Sequence, residues 1–165
     1  MRQTALYDQF ADWYEEYVSV VGDYTSRVNA MLAGLLGPGD GVCLDLCCGT
    51  GAQAEVLRGL GWRPVGLDLS AGQLRHAAAR LPVVLGSADR LPLAAGSMPA
   101  VACVLAHTDM PDYAAALREA ARVLKPGGSF VHVGVHPCFV GAFADRGEPK
   151  DGPEIPDVFG FAARA

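Results

Sequence analysis

The chain has 165 residues, which is about the size of one domain. Hydrophobic residues make up 51% of it and charged residues 19%, so it can bury a sizeable core and is not expected to be disordered as a whole. The net charge is −5, and Lys and Arg nowhere form a run. Because nucleic-acid phosphates are bound by clustered cations, this composition argues against a nucleic-acid-binding protein.

The sequence predicts neither secretion nor insertion into a membrane. Residues 1–4 are not followed by the apolar core of a signal peptide, and no stretch reaches the roughly 20 apolar residues of a membrane span. The five cysteines form no Cys-x-x-Cys pair and no Cys/His set with the spacing of a zinc site. These features predict a cytoplasmic protein with reduced, mostly buried thiols and no bound metal.

The first 37 residues predict an N-terminal helical cap. Between residues 4 and 20, aromatic and aliphatic side chains recur at spacings of three and four with acidic residues between them, which is typical of an amphipathic helix. A second helix is predicted over residues 24–36, and the segment 37–41 (GPGDG) ends it. Most of the aromatic stripe fits a packing role, and one or two of its members fit a lid over a pocket.

From residue 42 onward, strands and helices alternate. The predicted strands are 42–46, 63–67, 82–85, 100–106 and 129–135, and the predicted helices between them are 52–59, 71–80 and 111–124. The strands are apolar rather than alternating, which predicts a parallel sheet covered by helices on both faces, the doubly wound α/β class. The chain is accordingly divided into the cap (1–37), an α/β core (38–144) and a Pro-rich loop or tail (145–165).

Local capping and turn signals mark the ends of these helices. Ser70 is the expected N-cap of the helix over 71–80. Pro111 is expected in the first turn of the helix over 111–124, with Asp109 or Asp112 as the cap. The segment 125–128 (KPGG) predicts a stop and a turn before the last strand.

Residues that follow the strands are the site candidates, because parallel α/β sheets bind ligands at the carboxyl ends of their strands. The turn after the first strand, in residues 42–51 (VCLDLCCGTG), joins backbone N–H groups at a helix start to a carboxylate near the strand end. Further candidates are Asp68, Asp89 and the segment 107–109, each of which follows another strand.

The Gly-rich turn fits two kinds of ligand. Gly49, Gly51 and Ala54 match the dinucleotide fingerprint, with Asp68 about 20 residues on, so an NAD(P)-binding oxidoreductase is one hypothesis. Asp45 lies four residues before Gly49, where a pyrophosphate would not favour negative charge and a cationic amino group would. The sequence also has no obvious Tyr-x-x-x-Lys pair for hydride transfer.

Four motifs in this order resemble those of the class I S-adenosylmethionine-dependent methyltransferases, and in particular the branch that acts on small molecules. The motifs are 44–51 (LDLCCGTG), 66–70 (GLDLS), 86–92 (GSADRLP) and 122–128 (RVLKPGG). The resemblance covers about residues 7–135. It implies a Rossmann-like methyltransferase fold, S-adenosylmethionine as cofactor with S-adenosylhomocysteine as product, and in-line methyl transfer to a small-molecule acceptor.

The resemblance also implies a role for each matching position. Asp45 would lie near the methionine amino group, Asp68 would bind both ribose hydroxyls, and Asp89 would accept from the adenine amine. The other implied cofactor contacts are Tyr14, Cys47, Gly49, Thr50, Gly51, Leu69, Ala88, Arg90 and Ala106. Methylation of oxygen, nitrogen and carbon all stay open for the acceptor.

A general base is needed only where the acceptor must lose a proton. His107, after the fourth strand, and His136, after the fifth, are the candidates for a base or an acceptor contact. Asp109 is a further candidate base. His132, inside the last strand, is expected to be a hydrogen-bonded packing residue, and His76 is expected on the solvated surface of a helix.

Two features depart from the family pattern. Cys47 stands where the family usually has glycine, and it is expected to be tolerated with weaker cofactor binding or sensitivity to thiol reagents. The family sheet ends in an antiparallel pair after the fifth strand, which the Pro-rich residues 145–157 cannot supply. A truncated, cofactor-binding but non-catalytic domain, a homodimer joined through the sheet edge, and an open edge all stay as alternatives.

Overall fold

A computed structural model describes residues 5–20 and 22–135; the predicted site residue His136 and the Pro-rich tail lie outside the described residues. The described chain contains one five-stranded sheet in the order β3-β2-β1-β4-β5, with every neighbouring pair parallel. The strands are β1 (Val42–Leu46), β2 (Arg63–Asp68), β3 (Val83–Leu85), β4 (Met98–Val104) and β5 (Leu124–Val133). The predicted parallel α/β architecture is confirmed.

Five helices and two short 3-10 turns accompany the sheet in the described residues. The helices are α1 (Ala11–Val20), α2 (Gly22–Leu36), α3 (Ala54–Gly59), α4 (Ala71–Ala77) and α5 (Tyr113–Val123), and the 3-10 turns are Leu6–Phe10 and His107–Asp109. The single helix predicted over residues 4–20 is therefore a 3-10 turn followed by α1. No helix among the described residues is long and apolar enough to cross a bilayer.

The predicted caps were partly right. Ser70 caps α4, because its hydroxyl accepts the N–H of Gln73 at 3.1 Å. Asp112 caps α5 by accepting the N–H of Ala115 at 2.8 Å, so the alternative cap Asp109 is wrong. Pro111 precedes the capping residue and does not lie in the first turn of α5, which corrects the sequence prediction.

β5 begins five residues before its predicted start. Leu124 pairs with Met98 and Ser129 pairs with Ala100, so the ladder has a register shift between them. Gly127 has a φ of +78°, a left-handed conformation that glycine adopts without steric cost. The turn predicted over residues 125–128 is therefore an irregularity inside the strand.

Apolar side chains cover both faces of the sheet. On one face, Ala116, Ala120 and Val123 of α5 pack on the central strands, and on the other face Val28 and Leu32 of α2 do so. Further buried residues from α3 and α4 extend this second layer. β1 and β4, which lie inside the sheet, are largely buried, and this accounts for their mainly apolar sequences.

Three acidic side chains hold the N-terminal segment against α4. We call Asp8, Asp12 and Glu15 the acidic ladder, because their spacing places them on one face of the segment. Asp8 accepts the Ser70 hydroxyl at 2.6 Å and the N–H of Gly72 at 3.0 Å. Asp8 thus binds the N-terminus of α4, which follows directly after β2.

The other two residues of the acidic ladder, Asp12 and Glu15, form ion pairs. Asp12 lies 2.6 Å from the guanidinium of Arg75 and 2.8 Å from Nε2 of His76, and Glu15 pairs with Arg80. His76 is therefore bound to α1 and is not the solvated surface group that the sequence predicted. These partners lower the pKa of both Asp12 and Glu15.

Removing charge from the acidic ladder is expected to free the N-terminal segment. In the double variant Asp12→Asn, Glu15→Gln, hydrogen exchange in residues 5–20 should accelerate several-fold while exchange in the sheet stays the same, since exposed ion pairs add little to global stability. Because folding lowers the pKa of both acids, acidification below their ordinary pKa should have the same effect on the wild type. Hydrogen-exchange mass spectrometry measures both, with Glu16→Gln as the control from outside the ladder. Equal acceleration in the control would contradict the role of the ladder.

Candidate functional site

A cavity of about 240 Å³ lies at the carboxyl ends of the strands, covered by the N-terminal helices. This is the edge at which parallel α/β sheets bind ligands. The segments that contribute most to its wall are 47–50, 68–70, 87–89, 104–106 and 109–112. The volume suits a small organic ligand.

The cavity wall is acidic. Asp68, Asp89, Asp109 and Asp112 line it, and none of the described lining residues is Lys, Arg or His. Asp112 also lies 3.8 Å from the guanidinium of Arg118, which is not a lining residue, and the wall as a whole still attracts positive charge and repels phosphate.

Asp68 joins the end of β2 to the Gly-rich turn. Its Oδ2 accepts the N–H of Gly49 at 2.9 Å, and its Oδ1 accepts the N–H of Ser70 at 2.9 Å. Burial raises the pKa of Asp68, and the two N–H donors oppose that rise. Each carboxylate oxygen can accept a second hydrogen bond, so this wall residue can still bind a ligand diol.

The turn after β1 has an unusual backbone. Cys47, Gly49 and Gly51 have φ values of +57°, +54° and +80°. A residue with a Cβ is disfavoured by about 1–2 kcal/mol in this left-handed region, which explains why glycine suits position 47. The Cys47 side chain lines the cavity, and burial raises the pKa of its thiol, so the thiol stays protonated and weakly reactive.

Replacing Gly51 by alanine is expected to destabilise the fold by about 2–4 kcal/mol. A Cβ on Gly51 would lie 2.7 Å from Cδ2 of Leu81 and 3.3 Å from Cα of Ala77, at a φ of +80°. Urea unfolding measures the loss. The control is Gly34→Ala in α2, where a Cβ would meet no atom within 4 Å, and where stability should be unchanged or up to about 1 kcal/mol higher. Equal stability of the two variants would contradict this reading of the turn.

Asp45 and Gly51 lie beneath the cavity and do not contribute to its wall. Asp45 is only 1% exposed, and its Oδ2 has no hydrogen-bond partner among the described residues. Burial, and secondarily the charge of Asp68, raise the pKa of Asp45 to about 7. At neutral pH, a fraction of the molecules therefore carries a proton on Asp45.

Most of the predicted cofactor contacts come together at the cavity. Those that line it are Tyr14, Cys47, Gly49, Thr50, Asp68, Leu69, Ala88, Asp89 and Ala106. Asp45, Gly51 and Arg90 do not line it. The role of each residue as a cofactor contact stays a prediction.

His107 belongs to a packed cluster beside the cavity and is not a wall residue. Its ring centroid lies 4.8 Å from that of His132 and 6.0 Å from that of Tyr113. His132 Nδ1 and the Tyr113 hydroxyl are 3.0 Å apart, which agrees with the hydrogen-bonded packing role predicted for His132. The catalytic role of His107 stays a prediction.

The structure joins two wall residues that the sequence did not connect. The Tyr7 hydroxyl donates to Oδ2 of Asp109 at 3.3 Å, and the rings of Tyr7 and Tyr14 meet edge to face with centroids 5.7 Å apart. Burial raises the pKa of Asp109 to about 6, and the hydrogen bond from Tyr7 opposes the rise. The seven-residue spacing of the two tyrosines, which is close to two helical turns, is the signal that could have placed Tyr7 with Tyr14.

Tyr17 and Tyr24 extend the aromatic wall outward from Tyr7 and Tyr14. Both line the cavity, and they are 48% and 50% exposed. The four tyrosines come from the 3-10 turn, α1 and α2, so the cap predicted over residues 1–37 contributes directly to the cavity.

Sheet order, a Gly-rich turn after β1 and an acidic residue at the end of β2 define a Rossmann-like domain of the class I methyltransferase type. A family model described as a methyltransferase domain matches residues 44–132, which is more than half of the chain. The chain belongs to this methyltransferase domain family, within the class I S-adenosylmethionine-dependent superfamily.

Among curated proteins, the chain is similar to a demethylmenaquinone methyltransferase of Mycolicibacterium vanbaalenii. The two are 44% identical over 97 residues, which cover 58% of this chain and 42% of the relative. The chain thus spans less than half the length of the curated relative that it matches.

Solved structures share the fold over a larger part of the chain. The methyltransferase in complex with the Haloferax volcanii Trm112 methyltransferase activator is 29% identical, with a TM-score of 0.67 over 76% of this chain and 58% of that chain. A SAM-dependent methyltransferase of Thermotoga maritima is 27% identical, with a TM-score of 0.67 over 77% of this chain and 59% of that one.

Proposed function

We propose that this chain binds S-adenosylmethionine and transfers its methyl group to a small-molecule acceptor. The charge of the cavity wall carries this proposal: four aspartates line it, without Lys, Arg or His among the described lining residues. S-adenosylmethionine brings a sulfonium and an ammonium group against one carboxylate, so it complements such a wall. A dinucleotide brings a pyrophosphate, which this wall repels, and this argues against the NAD(P) hypothesis.

The residues at the wall fit the cofactor that the family uses. Asp68 has acceptor capacity for the ribose hydroxyls, Asp89 for the adenine amine, and Leu69 offers an apolar surface to the ring. A Cβ on Gly49 would meet only Oε1 of Gln73, at 3.9 Å, so the turn leaves room for the methionine end. When bound, the cofactor supplies a methyl group activated by its sulfonium.

The contribution of the chain to the reaction is to bind, orient and exclude water. The walls hold both reactants in one cavity, and Tyr7 and Tyr14 cover it from the N-terminal side. The name of the curated relative supports a small-molecule acceptor. The predicted bases His107 and His136 are kept as proposals.

A non-catalytic cofactor-binding domain is the second candidate function. It is favoured by β5 pairing with β4 alone within the described residues. That edge of β5 also keeps the homodimer as a proposal, which size-exclusion chromatography with light scattering tests.

Isothermal titration calorimetry separates these functions. We expect micromolar binding of S-adenosylhomocysteine and S-adenosylmethionine and no binding of NAD or NADP under the same conditions. Binding of a dinucleotide without either sulfur nucleoside would overturn the proposal. Binding of both sulfur nucleosides without methyl transfer to any small acceptor would favour the non-catalytic domain.

A further inference from the structure

We infer that Asp109, positioned by Tyr7, accepts the proton of a neutral phenolic acceptor that binds among the cap tyrosines. This inference rests on the proposed function and names its acceptor class and its base. It starts from one carboxylate whose two oxygens have different surroundings.

Asp109 presents one engaged oxygen and one without a partner. Oδ2 accepts the Tyr7 hydroxyl at 3.3 Å, whereas Oδ1 is buried and has no partner among the residues that the structure describes. A buried acceptor without a donor is unfavourable, and Asp109 lines the cavity, so a ligand donor that reaches Oδ1 after a rotation of the carboxylate would satisfy it. The Tyr7 bond occupies Oδ2, so Oδ1 is the oxygen left for that donor.

The walls around Asp109 suit an aromatic ring. Tyr7, Tyr14, Tyr17 and Tyr24 line the cavity together with Met110. Aromatic rings and a thioether pack favourably against an aromatic ligand, and the edge-to-face pair of Tyr7 and Tyr14 already has such geometry.

The charge of the wall decides between classes of aromatic acceptor. A carboxylate-bearing acceptor would meet four aspartates and no Lys, Arg or His among the described lining residues. A protonated amine would form an ion pair with Asp109 and keep the lone pair that must attack the methyl group occupied. A neutral phenol escapes both problems, because it donates its O–H to Asp109 and keeps an oxygen lone pair for the methyl carbon.

The transfer step balances with Asp109 as the proton acceptor. The phenolic oxygen forms a bond to the methyl carbon, the bond between that carbon and the sulfonium sulfur breaks, and its electron pair stays on sulfur. The phenolic proton passes to Oδ1 of Asp109 and from there to water. The products are an aryl methyl ether, S-adenosylhomocysteine and one proton.

The groups that face Asp109 allow it to act near neutral pH. Tyr7, Tyr14 and Asp68 face it from the 3-10 turn, α1 and β2, and its pKa of about 6 reflects mainly burial. A carboxylate with this pKa is ionised at pH 7 and is a stronger base than an exposed aspartate.

A spectral titration tests the contact without turnover. The probe is 4-nitrophenol added to the protein saturated with S-adenosylhomocysteine. Next to the Asp109 carboxylate, bound 4-nitrophenol should keep its proton, with a pKa raised by about one unit or more over the free phenol. Asp109→Asn should abolish this rise, and Asp40→Asn, an exposed aspartate before β1 at the opposite edge of the sheet, should leave it unchanged.

Methyl transfer to matched acceptors tests the role in the reaction. Hydroquinone and catechol should be methylated on oxygen at least tenfold faster than 4-hydroxybenzoate or benzylamine. Asp109→Asn should lower kcat by about 100-fold or more while its affinity for S-adenosylhomocysteine stays within about threefold. Tyr7→Phe should move the acid limb of the kcat profile up by about half a pH unit to one unit, because the lost hydrogen bond no longer lowers the Asp109 pKa.

The outcomes separate this inference from the proposed function. If the wild type binds S-adenosylhomocysteine but Asp109→Asn keeps its turnover, or the 4-nitrophenol shift is absent, the inference is overturned and the cofactor site stands. Methylation of benzylamine or 4-hydroxybenzoate alone also overturns the inference, as does the absence of methylation on hydroquinone and catechol. Failure of the wild type to bind either sulfur nucleoside overturns the proposed function, and the inference with it.

Discussion

Replacing Asp68 by alanine is expected to lower the affinity for S-adenosylhomocysteine by more than about 100-fold. A carboxylate that binds both ribose hydroxyls makes two charged hydrogen bonds, each worth about 1.5–3 kcal/mol, and each 1.4 kcal/mol corresponds to about tenfold in affinity. The affinity should also fall for an indirect reason. Asp68 accepts the N–H of Gly49 and so stabilises the turn that forms the adjoining wall of the cavity. Isothermal titration calorimetry measures the affinity.

The same variant separates binding from folding. Without Asp68, the N–H groups of Gly49 and Ser70 lose their acceptor, which should destabilise the fold by about 1–3 kcal/mol. Part of this loss is offset, because the raised pKa of Asp68 shows that burying its charge is itself unfavourable. Urea unfolding should therefore give a modest loss beside a large loss of affinity.

Two matched variants sharpen the test of Asp68. Asp68→Asn keeps one acceptor oxygen and should bind with an affinity between those of the wild type and Asp68→Ala. Asp89→Ala removes an exposed wall residue, so its affinity should fall by about tenfold while stability stays the same. Affinity within threefold of the wild type in Asp68→Ala would contradict the proposed ribose contact.

The order of strands and helices could be predicted because each strand is a mainly apolar run next to a segment that contains Gly or Pro. Residues 42–46 are the clearest case, since a Gly/Pro segment precedes them and glycines follow. The start of β5 could not be predicted in this way. Pro126 and Gly127 are turn residues locally, but pairing of Leu124 with Met98 extends the strand across them.

The position of the site could also be predicted, because parallel strands bring their carboxyl ends to one edge. This argument placed Asp68 and Asp89 correctly at a common cavity. It could not distinguish wall residues from those beneath the wall, because that depends on side-chain direction along β1. Asp45 points into the buried layer and is 1% exposed.

Contacts between segments far apart in the chain could not be predicted from the sequence. Tyr7 and Asp109 are 102 positions apart, and Asp12 and His76 are 64 positions apart. Both contacts depend on where the N-terminal segment crosses the sheet and α4, which no local pattern fixes. The strain at Cys47 was hidden for a related reason, since the turn geometry alone gives that residue its φ of +57°.

Replacing Asp45 by asparagine is expected to remove a pH-dependent loss of stability from the wild type. Folding raises the pKa of Asp45 from 3.8 to about 7, so the folded chain binds this proton more tightly than the unfolded chain. Stability from this group is therefore fully present below about pH 4, falls as pH rises toward 7, and is absent above it. By linkage the loss is of order 4 kcal/mol.

The comparison of the two proteins separates Asp45 from titrating groups that are not coupled to it. Asp109, with a pKa of about 6, contributes in the same direction, and Glu119, with a pKa of about 2, acts only at lower pH in the opposite direction. Both remain in Asp45→Asn, as does Asp68, whose pKa is also raised by burial, so the difference between the proteins reports Asp45 together with its coupling to Asp68. Urea unfolding between pH 5 and pH 8 should show a steeper decline in the wild type. Parallel curves would contradict the buried, partly protonated state of Asp45.

The same carboxyl group should couple proton release to cofactor charge. S-adenosylmethionine differs from S-adenosylhomocysteine by its methyl group and by the positive charge of the sulfonium, and a cation near the turn favours ionised Asp45. The preference for S-adenosylmethionine over S-adenosylhomocysteine should therefore increase as pH rises through 7 in the wild type, and should increase less in Asp45→Asn. Titration of both nucleosides at pH 6 and pH 8 measures this difference. An unchanged preference in the wild type would contradict this coupling between Asp45 and the charge of the ligand.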